Sequence, residues 1–184
     1  MNITKTTINN LQIIQIKPIG DPRGEAVQIY EKEAFLKINI DESFNQDFLT
    51  NSLQKKTLRG LHFQTEPHHQ NKLVRCQRGA ILDVTVDLRR SSPTYRQIFS
   101  VNLQEDDWTW LYIPSGIAHG FITLINNTQV TYKISGKYSP EHATGINWND
   151  PEFNIDWKVS SSHVILSDKD RNLPNFEEDQ IYFP

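Results

Sequence analysis

The chain has 184 residues, 37% of them hydrophobic and 10% aromatic, with eight scattered glycines, enough apolar material for the core of one domain. Its 19 Lys and Arg are interspersed with 22 Asp and Glu for a net charge of −3, a balance that argues against a nucleic-acid partner, and no run approaches the roughly 18 apolar residues of a membrane span. A single cysteine, Cys76, can form neither an intrachain disulfide nor a thiolate cluster, and "MNITKTTINN" lacks the apolar stretch of a signal peptide, so the expected setting is reducing and cytoplasmic.

In chain order, "LQIIQI" (11–16) alternates as a strand but offers little polar face for an exposed edge. "EKEAFLK" (31–37) is the best short helix. "AILDVTVDL" (80–88) sets Leu82, Val84, Val86 and Leu88 on one face and Asp83, Thr85 and Asp87 on the other, which predicts a strand with one wet or functional side. "IFSVNL" (98–103) and "QVTYKI" (129–134) repeat the period of two. Turn signals fall between these runs at Gly20-Asp21-Pro22, Arg78-Gly79, Ser91-Ser92-Pro93, Pro114-Ser115-Gly116 and Asn126-Asn127. Short strands at such spacing predict an all-β antiparallel sandwich or barrel, one domain over 1–184, with 158–184 packed as a C-terminal appendage.

Between Thr57 and Gly79, "TLRGLHFQTEPHHQNKLVRCQRG" crowds three histidines, three arginines and a lysine among apolar strand positions. Two stretches match the motifs of the cupin jelly-roll β-barrel. "PSGIAHGF" fits P-x-G-x-x-H, with His119 pointing inward from the strand after the turn. The earlier motif, whose two His and one Glu join that later His to bind a divalent metal, aligns with His62, Gln64, Lys72 and Gly79. A lysine ammonium has no lone pair for a metal, so two ligands of four remain and no metal is expected. His68 and His69 lie in a Pro-containing polar loop and read as solvated.

Taken singly, Arg59 and Lys72 could be solvated, His62 a hydrogen-bonded core residue and Tyr132 a packing aromatic. Together, Arg59, His62 and Lys72 lie within fourteen residues among Leu58, Leu61, Leu73 and Val74. A sheet interior made cationic is costly unless an anion sits there, which favours an acidic ligand such as a diphosphate.

Seven blocks in one order carry a more specific likeness: "DPRGE" (21–25), "LRGLHFQ" (58–64), "KLVRCQRGAILDVTVDLRRSSPTY" (72–95), "IPSGIAHGF" (113–121), "YKISGKYSPEH" (132–142), "WNDPEFNIDW" (148–157) and "LSDKD" (166–170). In these the chain resembles the dTDP-4-dehydrorhamnose 3,5-epimerase family. The resemblance implies a cupin-type jelly-roll β-barrel with short flanking helices, without cofactor, forming a homodimer through an exchanged N-terminal strand. It would act on a nucleotide-linked 4-keto-6-deoxyhexose in deoxysugar biosynthesis for surface polysaccharide.

A hydrogen next to a ketone is acidic only when the enolate oxygen is stabilised, so the chemistry needs a base, an acid on the other face and a cation at the oxygen. By matching positions the resemblance implies His62 as base, Tyr132 as acid, Lys72 as the cation and Asp170 as the carboxylate orienting His62. Arg59 and His119 would hold the diphosphate and Tyr138 would stack on the nucleobase. Lys169 and Arg23, the latter donated by the partner subunit, complete the substrate-binding set.

Three departures from the family pattern fall in substrate-binding positions. Gln28 stands where a glutamate is usual, with an aromatic lost at Ala26, and Ala143 replaces another glutamate. "DFLTNSLQKK" reads as shorter than the usual Gln-x-Asn-x-Ser stretch and lacks the glycine before Thr57. Because an amide donates as well as accepts, Gln28 makes a CDP-sugar an alternative to a dTDP-sugar. Two other functions share the composition: a sugar-nucleotide 3,4-ketoisomerase working through the same enolate, and a non-catalytic sugar-binding jelly roll, for which four tryptophans and fifteen other aromatics suffice.

Overall fold

Alternating apolar residues and glycine- or asparagine-bearing turns produce the strands where the sequence places them. A computed structural model describes residues 1–184. Its elements in order are β1 (Asn2–Lys5), β2 (Gln12–Gln15), β3 (Ile19–Asp21), β4 (Gly24–Ala26), α1 (Lys32–Leu36), β5 (Phe44–Ser52), β6 (Leu58–Gln64), β7 (Lys72–Arg78), β8 (Ala80–Asp87), β9 (Ile98–Gln104), β10 (Thr109–Ile113), β11 (Ile117–Thr123), β12 (Thr128–Ser135), β13 (Ala143–Gly145) and α2 (Asp168–Arg171). The strands form a six-stranded sheet, β1-β2-β10-β7-β12-β5, a five-stranded sheet, β13-β6-β11-β8-β9, and a separate β3–β4 hairpin, all antiparallel. No helix is long and apolar enough to cross a membrane.

The apolar residues sort into three clusters. Val74, Leu111, Val130 and Tyr132 of the larger sheet meet Ile81, Leu103, Ile117 and Phe121 of the smaller one, so this cluster joins the two sheets. Ile14, Leu73, Trp110 and Tyr112, of the larger sheet, pack with Phe35 of α1. The third cluster joins Leu82, Val84 and Val86 of β8 to Trp148, Phe153, Trp157, Tyr182 and Phe183 of the C-terminal third.

That last cluster narrows the reading of β8 to a functional rather than a wet polar side. Asp83, Thr85 and Asp87 are fully buried, and so is the apolar face, because the C-terminal segment covers what a two-sheet sandwich would leave open. The segment is tied down by parallel bridges from Thr57 to Ile165 and from Arg89 to Phe183. The small polar face of β2 is matched by cover on both of its edges. β2 lies between β1 and β10, and Leu11, Ile14 and Ile16 are buried within the chain itself, so they give no support to a strand exchange.

Most of the segment before Thr57 belongs to β5, which runs nine residues beside β12 without a break until Ile134 and Ser135. The missing glycine is absorbed by Lys56, which takes the left-handed conformation at φ 67°. Gly60 is required in its place: with φ 131°, a Cβ there would lie 2.5 Å from the Gly120 Cα and 2.8 Å from the His119 carbonyl oxygen. This close approach of β6 and β11 falls between Arg59 and His62 and brings His62 opposite His119.

Candidate active site

Inward-facing residues of β5, β6, β7, β11 and β12 line a cavity of about 650 Å³, closed on one side by Ser167, Lys169 and Asp170. Strand position selects them, with a register irregularity between β6 and β11 turning both Arg59 and His62, three residues apart, to the cavity; Lys72 opens β7, His119 stands on β11 and Tyr132 on β12. Tyr138, in the loop after β12, lies at the rim with 55% of its surface exposed.

His62 Nε2 lies 2.6 Å from Asp170 Oδ1, with the imidazole 36% exposed and the carboxylate 6%. Asp170 is set by α2, whose first turn is capped by the Ser167 hydroxyl accepting the Asp170 amide at 3.1 Å. Burial opposes ionisation of Asp170, but the hydrogen bond from His62, its charge, and the contacts from Gly60 and Ser167 outweigh it, holding the carboxyl below the ordinary range. A carboxylate that accepts the Nε2 proton leaves the lone pair on the other ring nitrogen, the arrangement of a general base.

Lys72 donates to the His62 carbonyl oxygen at 3.4 Å. Burial lowers its ammonium to about 8, against the pull of the Asp83 charge. Tyr132 moves the other way: burial, and then the Asp83 charge, raise its phenol, while Arg59 and the Thr50 hydroxyl act in the opposite sense. The phenol therefore stays protonated throughout the physiological range and can serve as an acid. Arg59 donates from Nε to Ser52 Oγ at 3.3 Å.

Asp83 is the residue that sequence reasoning missed. His119 Nε2 lies 2.8 Å from Asp83 Oδ2, with both side chains buried, while Asp83 Oδ1 makes no hydrogen bond. Burial raises the Asp83 carboxyl, opposed by His119 and Lys72. Its signal was present in the polar face of "ILDVTVDL", but a wet face was an equally good account of it. Gln46, Phe48, Thr50, Gln70 and Ile134 also line the cavity unforeseen. Gln46, Phe48 and Thr50 have the spacing of Gln-x-Asn-x-Ser, with phenylalanine at the position of asparagine.

Eight of the ten expected residues thus surround one cavity: His62, Lys72, Tyr132, Asp170, Arg59, His119, Tyr138 and Lys169. Arg23 and Gln28 do not. Arg23 sits at the tip of the β3–β4 hairpin, its side chain 90% exposed and paired with Asp21 at 2.6 Å, and Gln28 is exposed in the stretch that follows. His68 lies against His142 with ring centroids 4.6 Å apart and planes inclined by 57°, and His69 bonds Glu66 at 2.7 Å, so both histidines are held in the loop outside the cavity lining. Ala143 lies on β13 opposite Gln64, also outside it.

Comparison with known proteins agrees with this architecture. The sequence profile of the dTDP-4-dehydrorhamnose 3,5-epimerase family matches residues 5–178. Among relatives bearing that name, the protein of Shigella flexneri is 41% identical over 184 residues, covering 100% of this chain and 99% of its own length. That of Sinorhizobium fredii is 40% identical over 183 residues, covering 100% and 93%. The Bacillus anthracis enzyme, solved with TDP and PPi bound, superposes with a TM-score of 0.92 at 41% identity over 95% of this chain and 99% of that one. The Legionella pneumophila enzyme, solved with dTDP-4-keto-L-rhamnose, gives 0.87 at 36% identity over 96% and 98%. A full-length match in sequence and in fold, around a cavity that holds a histidine–aspartate pair, a lysine and a protonated tyrosine, places this chain in the dTDP-4-dehydrorhamnose 3,5-epimerase family.

Proposed function

We propose that the cavity inverts C3 and C5 of a dTDP-linked 4-keto-6-deoxyhexose by proton removal and return through an enolate. The observation that carries this reading is the 2.6 Å His62–Asp170 pair opening on the same cavity as Lys72 and Tyr132. His62 takes the proton from a carbon beside the ketone, and the electron pair left behind moves onto the C4 oxygen. The Lys72 ammonium meets that oxygen and stabilises its developing charge. Tyr132 returns a proton from the opposite face; solvent exchange resets His62 and Tyr132, and the net reaction consumes nothing.

Arg59 and His119 serve the diphosphate end with Lys169, while Tyr138 stacks on the thymine. Arg23 and Gln28 reach the cavity from the partner of a homodimer, a reading supported by the hairpin that presents an unburied arginine away from its own cavity. A cytoplasmic setting fits the one cysteine, Cys76, which is free and buried.

The test is incubation of dTDP-4-keto-6-deoxyglucose with the protein in deuterium oxide. Deuterium at C3 and C5 with the ketone still at C4 is the expected result. Migration of the ketone to C3 makes the protein a ketoisomerase, and absence of any exchange makes it a binding module.

A further inference from the structure

Two exposed aromatic side chains border the cavity at its rim, Tyr138 and Phe48, the latter 56% exposed overall. Tyr138 offers water a hydroxyl. Phe48 offers it nothing, and an exposed phenyl ring beside the charged groups of the cavity is a surface suited to an apolar ligand group. Register fixes where it stands: Phe48 lies directly opposite Tyr132 across β5 and β12, with ring centroids 6.0 Å apart and planes inclined by 57°. Ile134, two residues along β12 on the face of Tyr132, joins it in the cavity lining. Along β5 the flanking cavity residues, Gln46 and Thr50, are polar, and Arg59, His62 and Lys72 supply the charged part of the lining.

The apolar part of this wall is therefore centred on the phenol that delivers the proton. Resting on the reading above, in which Tyr132 protonates C3 and C5 in turn, the substituent of C5 lies against Phe48 when C5 is the carbon served. In a 4-keto-6-deoxyhexose, C5 carries a methyl group, the one wholly apolar substituent of the sugar. We propose that Phe48 is a specificity-determining residue that packs on this 6-methyl group and selects 6-deoxy sugars over those bearing a 6-hydroxyl. A phenyl ring covering that position leaves a hydroxyl there without a hydrogen-bond partner, whereas the asparagine of the usual spacing could supply one.

The experiment uses dTDP-6-deoxyglucose and dTDP-glucose, which lack the 4-ketone and differ by one oxygen at C6, with dTDP as reference. Calorimetric Kd values are measured for the wild-type protein, Phe48→Leu and Phe48→Asn. The wild-type protein should favour the 6-deoxy analogue by about tenfold, the range for one small group in an apolar pocket. Phe48→Leu should keep most of that preference and Phe48→Asn bring it near unity, with the dTDP Kd unchanged in all three. A wild-type protein indifferent to the 6-hydroxyl, or Phe48→Asn with the preference intact, overturns the proposal. Equal loss of dTDP affinity in Phe48→Asn also overturns it, by placing the ring against the nucleobase. Failure of the wild-type protein to bind dTDP at all removes the nucleotide-sugar reading and this inference with it.

Discussion

His62 and His119 are register partners across β6 and β11, and each gives its Nε2 to a different aspartate, Asp170 at 2.6 Å and Asp83 at 2.8 Å. The two pairs differ in access. The His62 imidazole is 36% exposed and that of His119 4%, so only the former can meet a substrate proton without rearrangement. The buried pair instead places a carboxylate beside Lys72 and Tyr132, where its charge supports the ammonium of one and opposes ionisation of the other.

His62→Ala should lower kcat by about 10²–10⁴, the contribution of a positioned general base, while the dTDP Kd stays within a few fold. Asp170→Asn should fall in the same range through loss of the favoured tautomer. Deuterium incorporation in single turnovers reads both effects, since it reports proton abstraction independently of product release.

Activity should decline as pH rises through about 8, the value to which burial lowers Lys72. The sign follows from the charge: the enolate needs the ammonium, which is present below that pH and lost above it. Lys72→Arg should move the alkaline limb beyond pH 10, because a guanidinium does not titrate there, at some cost in kcat. Lys72→Met should remove the limb together with most of the activity. Rate profiles of kcat/KM against pH distinguish these cases.

Asp170 sets a second pH dependence, this time on stability. Its folded-state carboxyl titrates below the ordinary value, so its contribution is complete above the unfolded-state value of about 3.9 and lost as pH falls through the lower folded value. Asp170→Asn should therefore be less stable than the wild-type protein at neutral pH. The difference should shrink at the acid end, as measured by urea unfolding between pH 7 and pH 3.

Gly60→Ala should destabilise the fold and the site together. The backbone conformation at φ 131° alone costs about 1–3 kcal/mol for a residue with a Cβ, and contact with Gly120 adds to it. The expected readout is a lower urea midpoint with an unchanged m-value, accompanied by reduced kcat as His62 is displaced from His119.

If Arg23 serves the partner's cavity, Arg23→Ala and His62→Ala should complement each other. Mixing them in equal amounts with subunit exchange makes half of the dimers mixed, each with one intact site, so about one quarter of wild-type activity should return. No recovery on mixing would place Arg23 in its own chain's chemistry.

Much of the fold was legible because it rests on local alternation. "ILDVTVDL" and "QVTYKI" became β8 and β12 within a residue or two, and "EKEAFLK" became α1. What stayed open depended on cover from elsewhere in the chain. The polar face of β8 could be wet or functional until the sheets closed over it, and the cover that β2 needed came from β1 and β10 of the same chain. Phe48 was invisible as a site residue because an isolated phenylalanine in a strand reads as core, and only its position on the rim of the cavity makes it exposed.

Side-chain type and spacing pointed to the chemistry: a lysine ammonium in a metal-ligand position has no lone pair to coordinate with, which leaves His62 open to the proton-transfer role proposed for it. Pairing was decided by tertiary contact. Asp170 lies 108 residues from His62 in sequence and meets it only because the C-terminal segment docks beside β6. His119 turned to Asp83 for the same kind of reason, since a buried imidazole takes whichever acceptor the packed sheets bring within reach. Residue type carries protonation chemistry wherever it stands, whereas direction, burial and partner belong to the folded chain.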